Sequence, residues 1–448
     1  MIPMRRLFRY AFIALTALVL AGCGRETPDE GPRYAGKYVG MLENAYVVNR
    51  NDMKSDLINR IVTGLNLSGG EALIISPVLS SALDDVIPED AELRISKIKY
   101  LTTNPAGDLV TASGVVACPS AVTKSGKFDR IVSVQHGTCD IGAAPTDLKF
   151  APECAPVFHQ GAKGMTDVVI LADYLGYGVS RTPRFEHPYL HAGLTGTASA
   201  DFLKAAEEYL EKQNLRYRDE KDNGIELCGY SQGGQGTLAT LFELQRRGYT
   251  DRITRVRAGA GPVDLLGMLD NFKRNADVEY AFCGYLPYLI RGIIYGDNLD
   301  LDLRNIYAQE VFDSGMDKKF NSSVLSTWHI PLGKDIRKVI HPDFFKTEGA
   351  NKDVQSLLAA LERNSLFKCD APAKPEILTL YHEVEDEQVP YICSLNASRQ
   401  WGCELVDLTI VDNVHLIGAI EFFIRYCISE TTYEKAKEKL EPLLNYLK

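Results

Sequence analysis

The chain is 448 residues long, 45% hydrophobic and 24% charged, the balance of an ordinary globular protein with room for one large domain or two to three smaller ones. A formal net charge of −10 argues against a nucleic-acid binder, which presents a basic field. Acidity of this size serves solubility and names no substrate.

The first segment, MRRLFRYAFIALTALVLAGC, has a basic start, an apolar run from Tyr10 to Leu20, and then Leu20-Ala21-Gly22-Cys23. The run is too short to span a bilayer comfortably. Small residues before a cysteine resemble the bacterial lipobox, in which that cysteine becomes the lipidated first residue of the mature chain. On that resemblance residues 1–22 are a signal peptide, set aside before fold reasoning, and Cys23 carries the lipid. Gly24 is not the aspartate associated with inner-membrane retention. The expectation is an exported bacterial lipoprotein on the outer membrane, at its periplasmic or cell-surface face, anchored without crossing. Residues 23–36 are polar with Gly and Pro and read as a tether.

Residues 37–93 contain helical stretches, notably SDLINRIVTGLNL, and read as an N-terminal helical extension without chemistry. Two β-rich runs follow, LRISKIKYLTT and DLVTASGVVACP, separated by the turn-forming NPAGD. RIVSVQHGT and TDVVILADYLGYG are further strand-to-loop runs. TASADFLKAAEEYLEKQ has helical spacing. GIELCGYS is a strand, QGGQGTLATLFELQRRG a helix, and ITRVRAGAGPVDL another strand and loop. The rhythm stops between 265 and 365, where aromatic and aliphatic residues lack clean alternation, and resumes with PEILTLYHE and CELVDLTIV. This pattern predicts an α/β core (94–264 and 366–448) with a mostly parallel sheet, helices on both faces, an antiparallel opening edge, and a helical cap inserted at 265–365.

Ten cysteines include Cys23 and leave nine, which cannot all pair within one molecule. Cys139 with Cys154 and Cys393 with Cys403 are the close-spaced candidates, while Cys228 reads as a buried thiol in a core strand. No cysteine pattern has zinc-ligand spacing with histidines, and nothing calls for a metal or cofactor.

The chemistry concentrates in IELCGYSQGGQGTL. Gly229-x-Ser231-x-Gly233 lies between a strand and a helix, the context in which this spacing makes a nucleophile elbow. Side chains at the two glycines would collide with the neighbouring strand and helix. A serine there meets the helix N-terminus, where N–H groups favour developing negative charge. Serine needs a base to accept its proton. His415 follows the last strand, and Asp386 follows the strand before it, in the order Ser231, Asp386, His415. Asp386 sits among Glu383, Glu385 and Glu387, and Asp412 is a competing acid close to His415. His159 and His341 read as loop or surface residues, His329 as part of the cap, and His382 as a strand end. The oxyanion donors expected are the backbone N–H groups of Gln232 and of Thr138, the latter in the loop QHGTCD. Losing one such donor costs about 3 kcal/mol of transition-state stabilisation. His136 is expected to brace that loop.

QHGTCDIGAAPTD, ILADYLGYGVS with HPYL, GYSQGG and AGAGPVDL, together with the Asp386 and His415 regions, resemble the α/β-hydrolase superfamily. The likeness is closest to secretory lipase-like serine esterases and spans roughly residues 95 to 430. The resemblance implies that Ser231, Asp386 and His415 form a triad acting on carboxylic esters, with the cap shaping an acyl pocket. Related enzymes commonly carry glycine three residues before the acid, where this chain has Glu383. The cap has no matching motif, so no particular substrate is implied beyond a small acyl or aryl ester. A peptidase or acyltransferase on the same machinery is the alternative. A non-catalytic ligand-binding lipoprotein would not need all three residues in order.

Overall fold

In the computed structural model the strand-forming runs assemble into one ten-stranded sheet. The structure describes residues 33–427 apart from 65–66, 159–164, 184–185, 222, 322–331, 370 and 410–414, together with 433–434 and 437–438. The expected signal peptide, Cys23 and most of the tether lie outside the described residues, and residues 34–448 form one unit.

The strands are β1 (Tyr38–Met41), β2 (Tyr46–Asn49), β3 (Glu92–Thr103), β4 (Leu109–Pro119), β5 (Ile131–Gln135), β6 (Val168–Ala172), β7 (Ile225–Tyr230), β8 (Ile253–Gly259), β9 (Leu378–Glu383) and β10 (Glu404–Leu408). Their spatial order is β1-β3-β4-β6-β5-β7-β8-β9-β10, with β2 also on β3. β1 to β4 pair antiparallel, and β4 meets β6 antiparallel. From β6 to β10 every pairing is parallel. Parallel neighbours need crossover connections. Those flanking β7 are α3 (Ala192–Lys212) before it and α4 (Gln232–Arg246) after it.

Alternate residues along a strand face opposite sides, and here both sides are dry. Ile131, Val168 and Ile170 join a core with Phe202 and Leu238, from α3 and α4. Val132, Val134, Val169 and Leu171 join a second core with Phe422 and Tyr426. Burial on both faces explains why β5 and β6 read as continuous apolar runs rather than alternating ones.

The stretch 37–93 differs from the helical extension expected. Helices α1 (Arg50–Gly64) and α2 (Gly69–Val86) form, the second opened by a capping box of Ser68 and Glu71. β1 and β2 precede them and extend the sheet along β3. Four-residue strands carry too little alternation to register beside a long helical pattern. Between 265 and 365 the described residues hold α5 (Leu265–Arg274), α6 (Tyr285–Gly296), α7 (Lys352–Asn364) and short turns, with a single isolated bridge between Tyr307 and Ile340. After β9 come α8 (Ile392–Trp401) and, after β10, α9 (His415–Cys427).

Neither close-spaced cysteine pair is bonded. Cys154 belongs to one core, and Cys139 packs against the other. Cys393 and Cys403 lie at opposite ends of α8. Ten helical residues span about 15 Å, well beyond the Cα separation of roughly 5.5 Å that a disulfide needs.

One buried cluster ties α9 to the central strand. Glu226 at the start of β7 pairs with Arg130 at 2.5 Å and Arg255 at 2.9 Å. It also accepts the Tyr426 hydroxyl of α9 at 2.5 Å. Burial pushes the Glu226 carboxyl up, but the two guanidiniums and the hydroxyl prevail and hold it below the ordinary glutamate value. A hydrogen bond to a buried charge is worth about 1.5–3 kcal/mol. Tyr426→Phe is therefore expected to lower stability by about 2 kcal/mol, measured by urea unfolding against the parent protein.

Candidate active site

β7 ends and α4 begins with one residue between them, Ser231. Its backbone sits at φ 60° and ψ −124°, a conformation that costs a non-glycine residue about 1–3 kcal/mol. The surroundings enforce it. Ser231 donates its N–H to Gly259 O at 2.8 Å, and its own carbonyl accepts from Gly234 at 2.8 Å. A Cβ on Gly229 would lie 2.4 Å from Gly233 O, and one on Gly233 would lie 2.1 Å from Gln135 O. Strand, helix and neighbouring strand thus touch backbone to backbone. Ser231 lines a cavity of about 30 Å³, with Tyr189 and, from the 265–365 stretch, Phe272, Tyr280 and Tyr285 among its walls.

Asp386 lies in the loop after β9, with its side chain fully buried. One carboxylate oxygen accepts the backbone N–H groups of Gln388 and Val389, each at 2.8 Å. The other lies 2.6 Å from His415 Nδ1 and 3.5 Å from His382 Nε2. Burial works to raise its pKa, but the two imidazoles outweigh it and hold the carboxyl well below the usual range. His382 is the last-but-one residue of β9, and its ring does more than end a strand. Its Nε2 faces Val389 O at 2.9 Å and its Nδ1 faces Ser394 Oγ at 2.7 Å, so the acid loop is pinned to α8.

His415 is the first residue of α9, and its backbone N–H donates to Glu387 at 2.8 Å. Its Nδ1 is engaged by Asp386, whereas its buried Nε2 has no partner among the described residues. Burial lowers its pKa, but Asp386, Glu387 and Glu383 overcome that and raise it above the ordinary imidazole value. The ring lies 5.0 Å from that of Tyr230, the residue before Ser231. This approach depends on Gly418, where a Cβ would lie 2.3 Å from the Tyr230 hydroxyl. Asp412, the competing acid, lies outside the described residues, as do His159 and His329. His341 caps a short turn by accepting from Asp343 N–H, away from these groups.

The loop after β5 carries Thr138 and is held from several sides. Asp173 after β6 accepts from Ser113 Oγ at 2.5 Å and from Thr146 through both its N–H, at 2.9 Å, and its hydroxyl. His136 Nε2 faces Asp173 O at 3.1 Å, and its ring stacks on Tyr174 at 4.1 Å. That is bracing, as expected of His136. Tyr177 O–H donates to Cys139 O at 2.7 Å, and Thr138 Oγ1 bonds the Tyr189 hydroxyl at 2.8 Å.

Gln232, first residue of α4, is buried and held by a residue that local sequence reasoning did not assign. His187 donates from Nδ1 to Leu175 O at 2.6 Å. Its Nε2 therefore carries a lone pair and accepts the Gln232 side-chain N–H at 2.8 Å. Burial lowers its pKa to about 3, so the ring is neutral. HPYL stood out only through resemblance, because the contact joins positions 45 residues apart.

No family model and no curated protein matches the sequence. Solved structures do. The rice cell wall degrading esterase LipA from Xanthomonas oryzae is similar at 20% identity, over 93% of this chain and 100% of that one, with a TM-score of 0.63. The chain has the α/β-hydrolase fold. Candida antarctica lipase A in its closed state is similar at 13% identity, over 92% of each chain, with a TM-score of 0.55. At these identities the likeness is one of fold, and within that fold the residues at the parallel strand ends carry any argument about chemistry.

The turn at Ser231 yields one expectation. Gly233→Ala forces a methyl group against the Gln135 carbonyl and is expected to destabilise the protein by about 3 kcal/mol, seen as a lowered thermal midpoint. Ala substituted at Gly248, an open position with nothing near a Cβ but a positive φ of 81°, is expected to cost only about 1 kcal/mol.

Proposed function

We propose that the protein is a serine hydrolase that cleaves carboxylic esters through an acyl-enzyme, with Ser231 as nucleophile, His415 as base and Asp386 as its orienting acid. The observation that carries this reading is the buried Nε2 of His415, unpartnered among the described residues, whose other nitrogen is engaged by Asp386 and whose ring packs beside Tyr230. A buried ring nitrogen without a partner is costly and is explained if a serine proton is its partner during reaction.

Ser231 Oγ attacks the ester carbonyl carbon while His415 Nε2 takes the hydroxyl proton. Negative charge collects on the carbonyl oxygen, where the N–H groups of Gln232 and Thr138 would receive it. Collapse breaks the bond to the alcohol, which leaves with the proton from His415. Water then attacks the acyl-enzyme with His415 again as base, releasing the acid and Ser231. Asp386 holds the imidazole orientation and stabilises its cation without taking the proton. LipA is named an esterase and the Candida antarctica protein a lipase, which supports ester cleavage over peptide cleavage or acyl transfer. The apolar, aromatic lining around Ser231 supports it too. A lipid on Cys23 would hold the enzyme at the outer membrane, and palmitate labelling lost in Cys23→Ala is the test.

Ser231→Ala is expected to abolish hydrolysis of nitrophenyl butyrate, a loss of about 10⁶-fold in kcat, with Asp386→Asn losing about 10⁴-fold. Full activity in Ser231→Ala would end this reading.

The base must be neutral to act. Because its acidic neighbours raise the pKa of His415, activity is expected to be lost as pH falls through a midpoint above the ordinary imidazole value of about 6.5. Glu387→Gln removes one negative neighbour and is expected to move the acid limb of kcat/KM to lower pH.

A further inference from the structure

We propose that a groove outside the cap, between α1, α2 and α9, binds the long hydrocarbon chain of the ester. This rests on the hydrolase reading above. The groove has a volume of about 400 Å³, within the range of small-molecule sites. Its walls include Leu57 and Ile61 of α1, Leu79 and Leu83 of α2, and Ile420 and Phe423 of α9. Arg60 and Glu153 are the charged residues on its lining.

Its other lining residues connect it to the reaction. Thr138, the proposed oxyanion donor, lines this groove, and so does Leu416, next to His415. The cavity at Ser231 beneath the cap is of another size, about 30 Å³, space for about two waters. Thr138 and Tyr189 stand between the two spaces. The threonine lines the groove, the tyrosine lines the cap cavity, and their hydroxyls bond at 2.8 Å. An ester carbonyl held at Thr138 thus has a cramped aromatic space on one side and a larger apolar one on the other. The bulky chain belongs in the groove and the small group under the cap. Each methylene moved from water into such surroundings strengthens binding about fourfold.

The chain is either the acyl or the alcohol part, and two substrate series separate them: nitrophenyl acetate, hexanoate and decanoate against ethyl, hexyl and decyl acetate. In the parent protein kcat/KM is expected to climb with length in one series. Leu83→Trp and Leu57→Trp fill the groove from walls remote in sequence from the reacting residues. Each is expected to keep acetate hydrolysis within about twofold and to lose about tenfold or more on the longest member, mainly through KM. Retained acetate cleavage shows that the variant is folded. A chain-length profile unchanged in both tryptophan variants overturns the groove while leaving the hydrolase reading intact.

A binding measurement separates the two failures. The Ser231→Ala protein is expected to bind 11-dansylaminoundecanoic acid saturably, and to bind it at least tenfold more weakly when Leu83→Trp is added. Unaltered binding in that double variant overturns the proposal. Weakened binding in the double variant, found together with a parent protein that cleaves no ester although Ser231 is intact, supports the groove and overturns the hydrolase reading alone.

Discussion

Backbone contact at one turn governs the rest of this molecule. β7, α4 and the end of β5 approach so closely at residues 229 to 234 that a single methyl group would meet a carbonyl oxygen at Gly229, Gly233 or Gly234. That closeness fixes Ser231 in its unfavourable backbone conformation and packs the start of α4 against Gln135 and His136. The strain is sustained because the Ser231 N–H donates to Gly259 O while its carbonyl accepts from Gly234 and Gln235, which leaves the turn no alternative.

Around this turn the charges are sorted rather than balanced. Acid groups gather on the side of His415, where Asp386, Glu387 and Glu383 together outweigh the cost of burying an imidazole. At Gln232, by contrast, His187 is kept neutral by burial and serves as an acceptor. Two buried imidazoles thus take opposite characters from their surroundings, one surrounded by carboxylates and one by tyrosine rings. Glu383 contributes to this field at a position where glycine was expected by resemblance. The loop nonetheless brings Asp386 to His415, because two backbone N–H groups and His382 shape it.

Much of this was legible in the amino-acid order, for identifiable reasons. Apolar runs of five or six residues between glycine-rich turns mark strands buried on both faces, so β5, β6 and β7 stand out. The glycines flanking Ser231 stand out because a steric requirement leaves few substitutes. β1 and β2 were hidden, since four-residue strands borrow their stability from β3. His382 and His187 were hidden differently. Each acts through a partner placed by folding, and an isolated histidine carries no mark of the carbonyl it will meet. The cysteine pairs misled because closeness along the chain ignores the length of α8 and the packing of Cys139 and Cys154 against different cores.

The sequence by itself determined the alternation of strands and helices, the sharp turn at Ser231, and the order in which an acid and a histidine follow it. These are local matters of side-chain size, polarity and backbone freedom, and they act within a few residues. Only the tertiary structure decided that His415 lies against Tyr230, that Asp386 rather than solvent meets its Nδ1, and that Thr138 lines one apolar space while its partner Tyr189 lines another. Those outcomes depend on packing between segments separated by many residues, where distance in space is set by the whole sheet and no short stretch records it.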